Sequence, residues 1–231
     1  MAVEKDSAVV VRSFAFKEAD RIVTFLTPTF GKVGVVARGS RKARSRLSAS
    51  LELFNIGELV FFQKPNRDLH NVNSFDVVEP IGVQLRDHIA VAYASYLAQL
   101  ASDMSLENDA NPPLFYLLRA ALVAVREATT VGALRAVGRC FEAKLLTISG
   151  YRPRLDTCIA CGTPVDDAEV AVGITVGGAL CREHAYQDRT LMVSEDGIRA
   201  VRGLTELTFE QVVVTSMSRQ QKIEAKHLLT M

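Results

Sequence analysis

Apolar and polar positions divide the chain into two regimes. In the first third the apolar or alternating runs are short: Ala8 to Phe16, Ile22 to Thr27, Lys32 to Ala37, Leu51 to Gln63 and Leu69 to Val78. Turn chemistry separates them at Glu18 to Asp20, Pro28 to Gly31, Gly39 to Arg46 and Pro65 to Asp68, the pattern of successive β-strands. Five such strands within residues 1–79 predict a small barrel, either of the oligonucleotide-binding (OB) kind or SH3-like. Gly57 lies inside the fourth run and lets it bend or split.

Pro80 and Gly82 mark the change of regime. Beyond them the period is helical, with Leu85, Ile89, Tyr93, Tyr96, Leu97, Leu100 and Met104 on one stripe. Asn111-Pro112-Pro113 starts a second helix that runs to Val125, and a third spans Ala133 to Ser149 with Gly150 as its stop. Three amphipathic helices with short links read as a bundle. Ser194 caps a further helix to Gly203, and Thr208 to Met217 and Ser218 to Leu229 read as helical, with Val212-Val213-Val214 leaving the first of these ambiguous. The expected class is α+β: an N-terminal β-barrel, then a helical domain carrying an insertion. The expected divisions are 1–80 for the barrel, 81–154 and 187–231 for the two parts of the helical domain, and 155–186 for the insertion.

The insertion holds the most specific chemistry. Cys158-Ile159-Ala160-Cys161-Gly162 is followed, nineteen residues on, by Cys181-Arg182-Glu183-His184. Two intervening residues let a tight knuckle present two ligands to one ion, and two knuckles complete a tetrahedron, which is zinc-site spacing. Ala168 to Thr175 and Gly177-Gly178 read as a small hairpin between the knuckles. Four protein donors leave no open position for water, so the zinc is expected to be structural, holding an insertion too small for its own core. The bland alternative is two unrelated cysteine pairs and a surface His184.

Charge changes the picture of the barrel. The formal net charge is only +1, yet residues 1–79 hold 12 Lys/Arg against 9 Asp/Glu while residues 80–231 hold 15 against 17. Much of that excess sits in one turn. Arg38, Arg41, Lys42, Arg44 and Arg46 are separated by small residues and accompanied by no acidic one, so guanidinium forks and backbone N–H groups can both approach a phosphate chain. The bland alternative is a solvated basic loop. Among Phe14, Phe16, Phe25, Phe30, Phe54, Phe61 and Phe62 most are expected in the barrel core, leaving one or two as base-stacking platforms.

Other features exclude more than they propose. The N-terminus fits neither a signal nor a transit peptide, and no run approaches the roughly 18 apolar residues of a membrane helix, so a cytoplasmic location is expected. Four cysteines there read as thiols or metal ligands rather than disulfides. No P-loop is present, nor the His-x-Glu and Pro-Cys-x-x-Cys pieces of a zinc deaminase, and no other catalytic constellation stands out, so the chain is not expected to be an enzyme. Cys140 reads as a buried core thiol, His70, His88 and His227 as surface residues, and Asp166-Asp167 as a turn pair without a partner.

A Val-rich strand running into Ala37-Arg38-Gly39-Ser40-Arg41-Lys42, then Ser48 to Phe54, then a helical domain whose Cys-x-x-Cys-Gly knuckle follows Tyr151-Arg152-Pro153, resembles the bacterial RecO family of DNA repair proteins. The resemblance covers nearly the whole chain and implies an OB-fold N-terminal domain. It further implies binding of single- and double-stranded DNA, annealing of complementary strands and, with RecR, loading of RecA onto strands coated by single-stranded-DNA-binding protein (SSB), in a nucleoid-associated setting. By position it makes Arg38, Arg41 and Lys42 DNA contacts; Arg44 and Arg46 join them by the charge argument alone. Zinc-bearing members often have a fourth cysteine where this chain has His184, which points to a three-Cys, one-His set. The end of the chain, Gln220 to Met231, matches only loosely. The rival reading is a zinc-ribbon transcription or RNA-associated factor, for which the same barrel and knuckles would serve.

Overall fold

A computed structural model describes residues 2–64, 67–165, 168–215 and 217–230. The chain divides into two compact units, Met1–Leu134 and Arg135–Met231.

The first unit begins with five strands: β1 (Ala2–Phe16), β2 (Asp20–Thr27), β3 (Gly31–Ala37), β4 (Asn55–Gln63) and β5 (Leu69–Pro80). They form a closed barrel in the order β1-β2-β3-β5-β4, antiparallel except for the β3–β5 pair, with β1 and β4 completing the circle. The fold is therefore the OB barrel. Phe25 and Phe75 meet edge to face inside it, and Phe30 does the same against Phe61, with ring centroids 4.9 and 5.5 Å apart. Gly57 marks a shift of register on β4, where a Cβ would collide with the Asp76 carbonyl of β5.

Three features of the barrel differ from the sequence reading. β1 begins at Ala2 rather than Ala8, because its charged first half pairs with β4 over Ala2↔Gln63 to Val9↔Ile56 and Lys5 meets Glu58 at 2.8 Å. Leu51 to Phe54 is not strand: a one-turn helix, α1 (Leu47–Ser50), precedes it, and the chain enters β4 through Phe54, whose φ is +69°. His70 is buried rather than exposed, at 6% relative exposure, with its ring stacked on Phe61 and its Nδ1 accepting from the Lys64 N–H at 3.2 Å. The turn expected at Pro65 to Asp68 lies partly outside the described residues, as does Asp166-Asp167.

A short α2 (Ile81–Gln84) leads to α3 (His88–Asp103) and α4 (Pro112–Glu127), which pack on each other. Asp87 caps α3 by accepting from Ile89 and Ala90, and Asn111 caps α4 by accepting from Leu114. The buried face of α3 is Ala90, Ala94, Leu97, Ala98 and Ala101, while Tyr96 and Met104 of the expected stripe are exposed. Small residues let two backbones approach closely, so the face is chosen by fit and not by side-chain size.

The second unit takes α5 (Val131–Ile148) from Arg135 onward and adds β6 (Glu169–Gly173), β7 (Gly178–Leu180), β8 (Thr190–Ser194), α6 (Glu195–Glu206), α7 (Phe209–Val214) and α8 (Arg219–Leu229). The expected hairpin is β6–β7, and β8, which the sequence reading lacks, pairs with the other edge of β6. Ser194 caps α6 and hydrogen-bonds the buried Glu224 of α8 at 2.6 Å. Thr208 and Ser218 open α7 and α8 with capping boxes, and α7 stops at Val214 rather than Met217. Cys140 is buried as expected, and burial pushes its thiol up to about 12.

Candidate nucleic-acid interface and metal centre

The basic loop between β3 and α1 is anchored at its start. Gly39, at φ +65°, donates to the Asp20 carboxylate at 2.8 Å, and the buried Ser40 hydroxyl donates to the Ala37 carbonyl at 2.8 Å. Arg41 ties the loop to the β1–β2 turn: its N–H reaches the Ala19 carbonyl at 3.0 Å, and its Nη1 reaches those of Lys17 and Glu18 at 3.2 and 3.0 Å. Arg38, Arg41, Lys42, Arg44 and Arg46 are all exposed. Among the described residues none of the five is in an ion pair with a carboxylate. Asp20, bound to the Gly39 N–H, is the carboxylate at the start of the loop, and the five cations themselves are left available to a polyanion.

Burial separates the candidate stacking phenylalanines of the barrel region. Phe25, Phe54 and Phe61 are buried, and Phe16, Phe30 and Phe62 are half-buried. Phe14 is the exposed one, at 42%, with the Arg12 guanidinium 5.2 Å from its ring centroid.

The four expected metal ligands come together. One donor atom from each of Cys158, Cys161, Cys181 and His184 lies within 4.8 Å of every other. Cys181 Sγ is 3.1 Å from His184 Nδ1, Cys158 Sγ 3.8 Å from the same nitrogen, and Cys161 Sγ 3.9 Å from Cys181 Sγ. With zinc–sulfur bonds of about 2.3 Å, the edges of a tetrahedral site are about 3.8 Å, so the cluster has the size of one ion's shell.

Backbone bonds hold each knuckle. Gly162, at φ +76°, donates to the Cys158 carbonyl at 2.8 Å, a turn that a side chain would strain. His184 and Ala185 both donate to the Cys181 carbonyl at 2.9 Å, and Ile159 donates to Ala179 of β7, which docks the first knuckle on the hairpin. Burial opposes ionisation of Cys158, but the N–H groups of Cys181, Cys161 and Ala160 outweigh it and bring the thiol down to about 6. Cys181 is shifted upward, first by burial and then by the neighbouring Cys158 sulfur. A site that already favours one thiolate fits a divalent cation, and a three-Cys, one-His set can hold a metal.

Comparison with known proteins completes the picture. A family profile described as "Recombination protein O N terminal" matches residues 1–81, and one described as "Recombination protein O C terminal" matches residues 85–231. The chain belongs to the RecO family. Among its relatives, a DNA repair protein RecO of Anaeromyxobacter dehalogenans (strain 2CP-C) is 34% identical over 98% of this chain and 88% of its own length. That of Syntrophus aciditrophicus (strain SB) is 32% identical over 100% and 89%, and that of Anaeromyxobacter sp. (strain K) 37% over 77% and 68%. Membership in RecO supports a role in DNA repair and recombination. No described helix is long and apolar enough to cross a membrane.

Proposed function

We propose that the chain is a non-catalytic mediator of DNA repair and homologous recombination. It binds single- and double-stranded DNA through Arg38, Arg41, Lys42, Arg44 and Arg46, anneals complementary strands and, with RecR, helps load RecA onto SSB-coated single strands. The observation that carries this reading is the exposed five-cation loop, whose cations make no ion pair with a carboxylate among the described residues and which is tied to the β1–β2 turn of an OB barrel. Cations on one anchored loop neutralise phosphates of two strands at once, lowering their mutual repulsion so that pairing can nucleate.

Cys158, Cys161, Cys181 and His184 would hold Zn²⁺. The ion would supply folding energy and no chemistry, since four protein donors fill its shell. The proposed division of labour keeps the barrel (1–80) as the DNA-binding domain, 81–154 and 187–231 as the helical scaffold, and 155–186 as the zinc insertion. The expected setting is the cytoplasm, at the nucleoid.

The test is annealing of two labelled complementary strands by the native chain and by a variant with all five loop cations changed to Ala. Annealing that collapses in the variant supports the reading. Unchanged annealing moves the DNA site elsewhere, and absence of annealing by the native chain favours the zinc-ribbon factor.

A further inference from the structure

We infer that Phe14, with Arg12 beside it, is a stacking platform for an unpaired base and gives the barrel a contact to single-stranded DNA that a duplex does not share. The inference rests on the proposed DNA-binding role of the adjacent loop and adds a second, chemically different contact to it.

The register places the platform. Past the irregularity between Val10 and Arg12, β1 pairs with β2 as Arg12↔Thr24, Phe14↔Ile22 and Phe16↔Asp20, and β2 pairs with β3 as Ile22↔Val36. Alternation puts Arg12, Phe14 and Phe16 on one face of the sheet and aligns Phe14, Ile22 and Val36 as an apolar row across three strands. That face is the outside of the barrel, since the alternate positions Val23, Val35 and Ala37 are buried in its core. Ile22 and Val36 are half-buried, and Phe14 is the most exposed member of the row.

The platform and the cations belong to one surface. Phe16 pairs with Asp20, whose carboxylate accepts from Gly39 at the start of the basic loop. Arg41 is bound to the carbonyls of Lys17 and Glu18 in the turn that follows Phe16. Phe14 is two residues back along β1, about 7 Å by strand geometry. Arg12 adds a guanidinium at the ring itself, and Lys17 Nζ lies 5.4 Å from the Phe16 centroid. A surface that offers cations for the backbone and an exposed ring for a base matches a single strand, because in a duplex every base face is already stacked. The competing role for Phe14 is purely structural: a lid over Ile22 and Val36.

Leucine separates the two roles, since it covers the same apolar row but has no π face. Binding of oligo-dT, of an abasic strand of equal length and of a duplex is titrated at low salt for the native chain, Phe14→Leu and Phe14→Tyr. Thermal unfolding is followed alongside. The expected result is a loss of about tenfold on oligo-dT for Phe14→Leu, no loss on the abasic strand or the duplex, and recovery with Phe14→Tyr. Equal binding of oligo-dT by native and Phe14→Leu chains overturns the inference, as does an equal loss on all three ligands. If the native chain and the five-cation variant bind oligo-dT alike, the loop reading fails, whereas a loop-dependent native chain with a neutral Phe14→Leu removes only the platform.

Discussion

Around the Arg38–Arg46 loop, five strands close on Phe25, Phe61 and Phe75, and the loop is fastened to them by backbone and carboxylate hydrogen bonds. Around the Cys/His cluster, β6 and β7 are five and three residues long, and the side chains at the centre of both knuckles are the metal ligands themselves. The barrel owes nothing of its shape to the ligand it is proposed to bind. Backbone bonds shape each knuckle and dock the first on the hairpin, but the four donors themselves converge only on the position an ion would take. Charge on a finished scaffold governs affinity, whereas donors that make their own scaffold govern stability, so removing each should be read out differently.

The largest expected effect follows from that difference. Apparent binding energies of structural zinc in small domains are about 10–16 kcal/mol, far above any single side-chain contact. Stripping the metal with a chelator, or changing Cys158 to Ser, should expose the segment 155–184 to limited proteolysis while the barrel stays resistant. Native protein should carry one zinc ion per chain by metal analysis. A Cys158→Ser chain as resistant as native, or native protein without zinc, would break the contrast.

The second effect is on affinity alone. With five phosphates neutralised, the logarithm of binding to a single strand should fall with the logarithm of salt at a slope near −3.5, from roughly −0.7 per contact. Changing all five loop cations to Ala should bring the slope toward zero and change thermal unfolding only by the loss of the two exposed Arg41 side-chain hydrogen bonds, because all five are exposed. A slope that survives the change would mean that phosphates are held elsewhere.

Both regions were largely legible in the sequence because each is local. The five cations lie within nine residues, and each ligand pair lies within four. The strands were readable wherever alternation was clean. What escaped depends on partners far along the chain. The charged start of β1 reads as a tail until β4 pairs with it, and Thr190–Ser194 is too short to declare itself a strand without the edge of β6. The Ala-rich face of α3 is invisible to a scale that rewards large side chains. His70 looked isolated because nothing near it in sequence announces Phe61.

Arg41 offers a finer test, since it belongs to both sides of the comparison: exposed charge, yet also part of the scaffold. Lys42→Ala should remove about 0.7 from the salt slope and little else. Arg41→Ala should remove a similar amount of slope and also weaken binding extrapolated to high salt, because the loop loses the side-chain part of its tether to the β1–β2 turn and keeps only the backbone bond to Ala19. Arg41→Lys should restore the slope but not the side-chain tether, as its shorter, more strongly hydrated ammonium replaces the one Nη1 that meets both carbonyls. Identical behaviour of the Arg41→Ala and Lys42→Ala chains would reduce Arg41 to one more cation.

The smallest effect is a pH dependence confined to the barrel. Burial, and then the nearby Lys64 charge, hold the His70 imidazole below its ordinary value of 6.5. As pH falls through the unfolded value, the unfolded chain takes up a proton that the native barrel resists, so stability rises with pH in this window and is lost on acidification. The loss levels off once pH is below the native value. Metal ligation also weakens in acid, because the donors must be deprotonated, so the measurement belongs on chelated protein, where the knuckles no longer contribute. Denaturant unfolding of the barrel should then be weaker at about pH 5 than at about pH 7.5, and the dependence should be shallower for His70→Gln. Parallel curves for native and variant chains would mean that the imidazole already titrates as if exposed, and that the stacking on Phe61 opens before the barrel does.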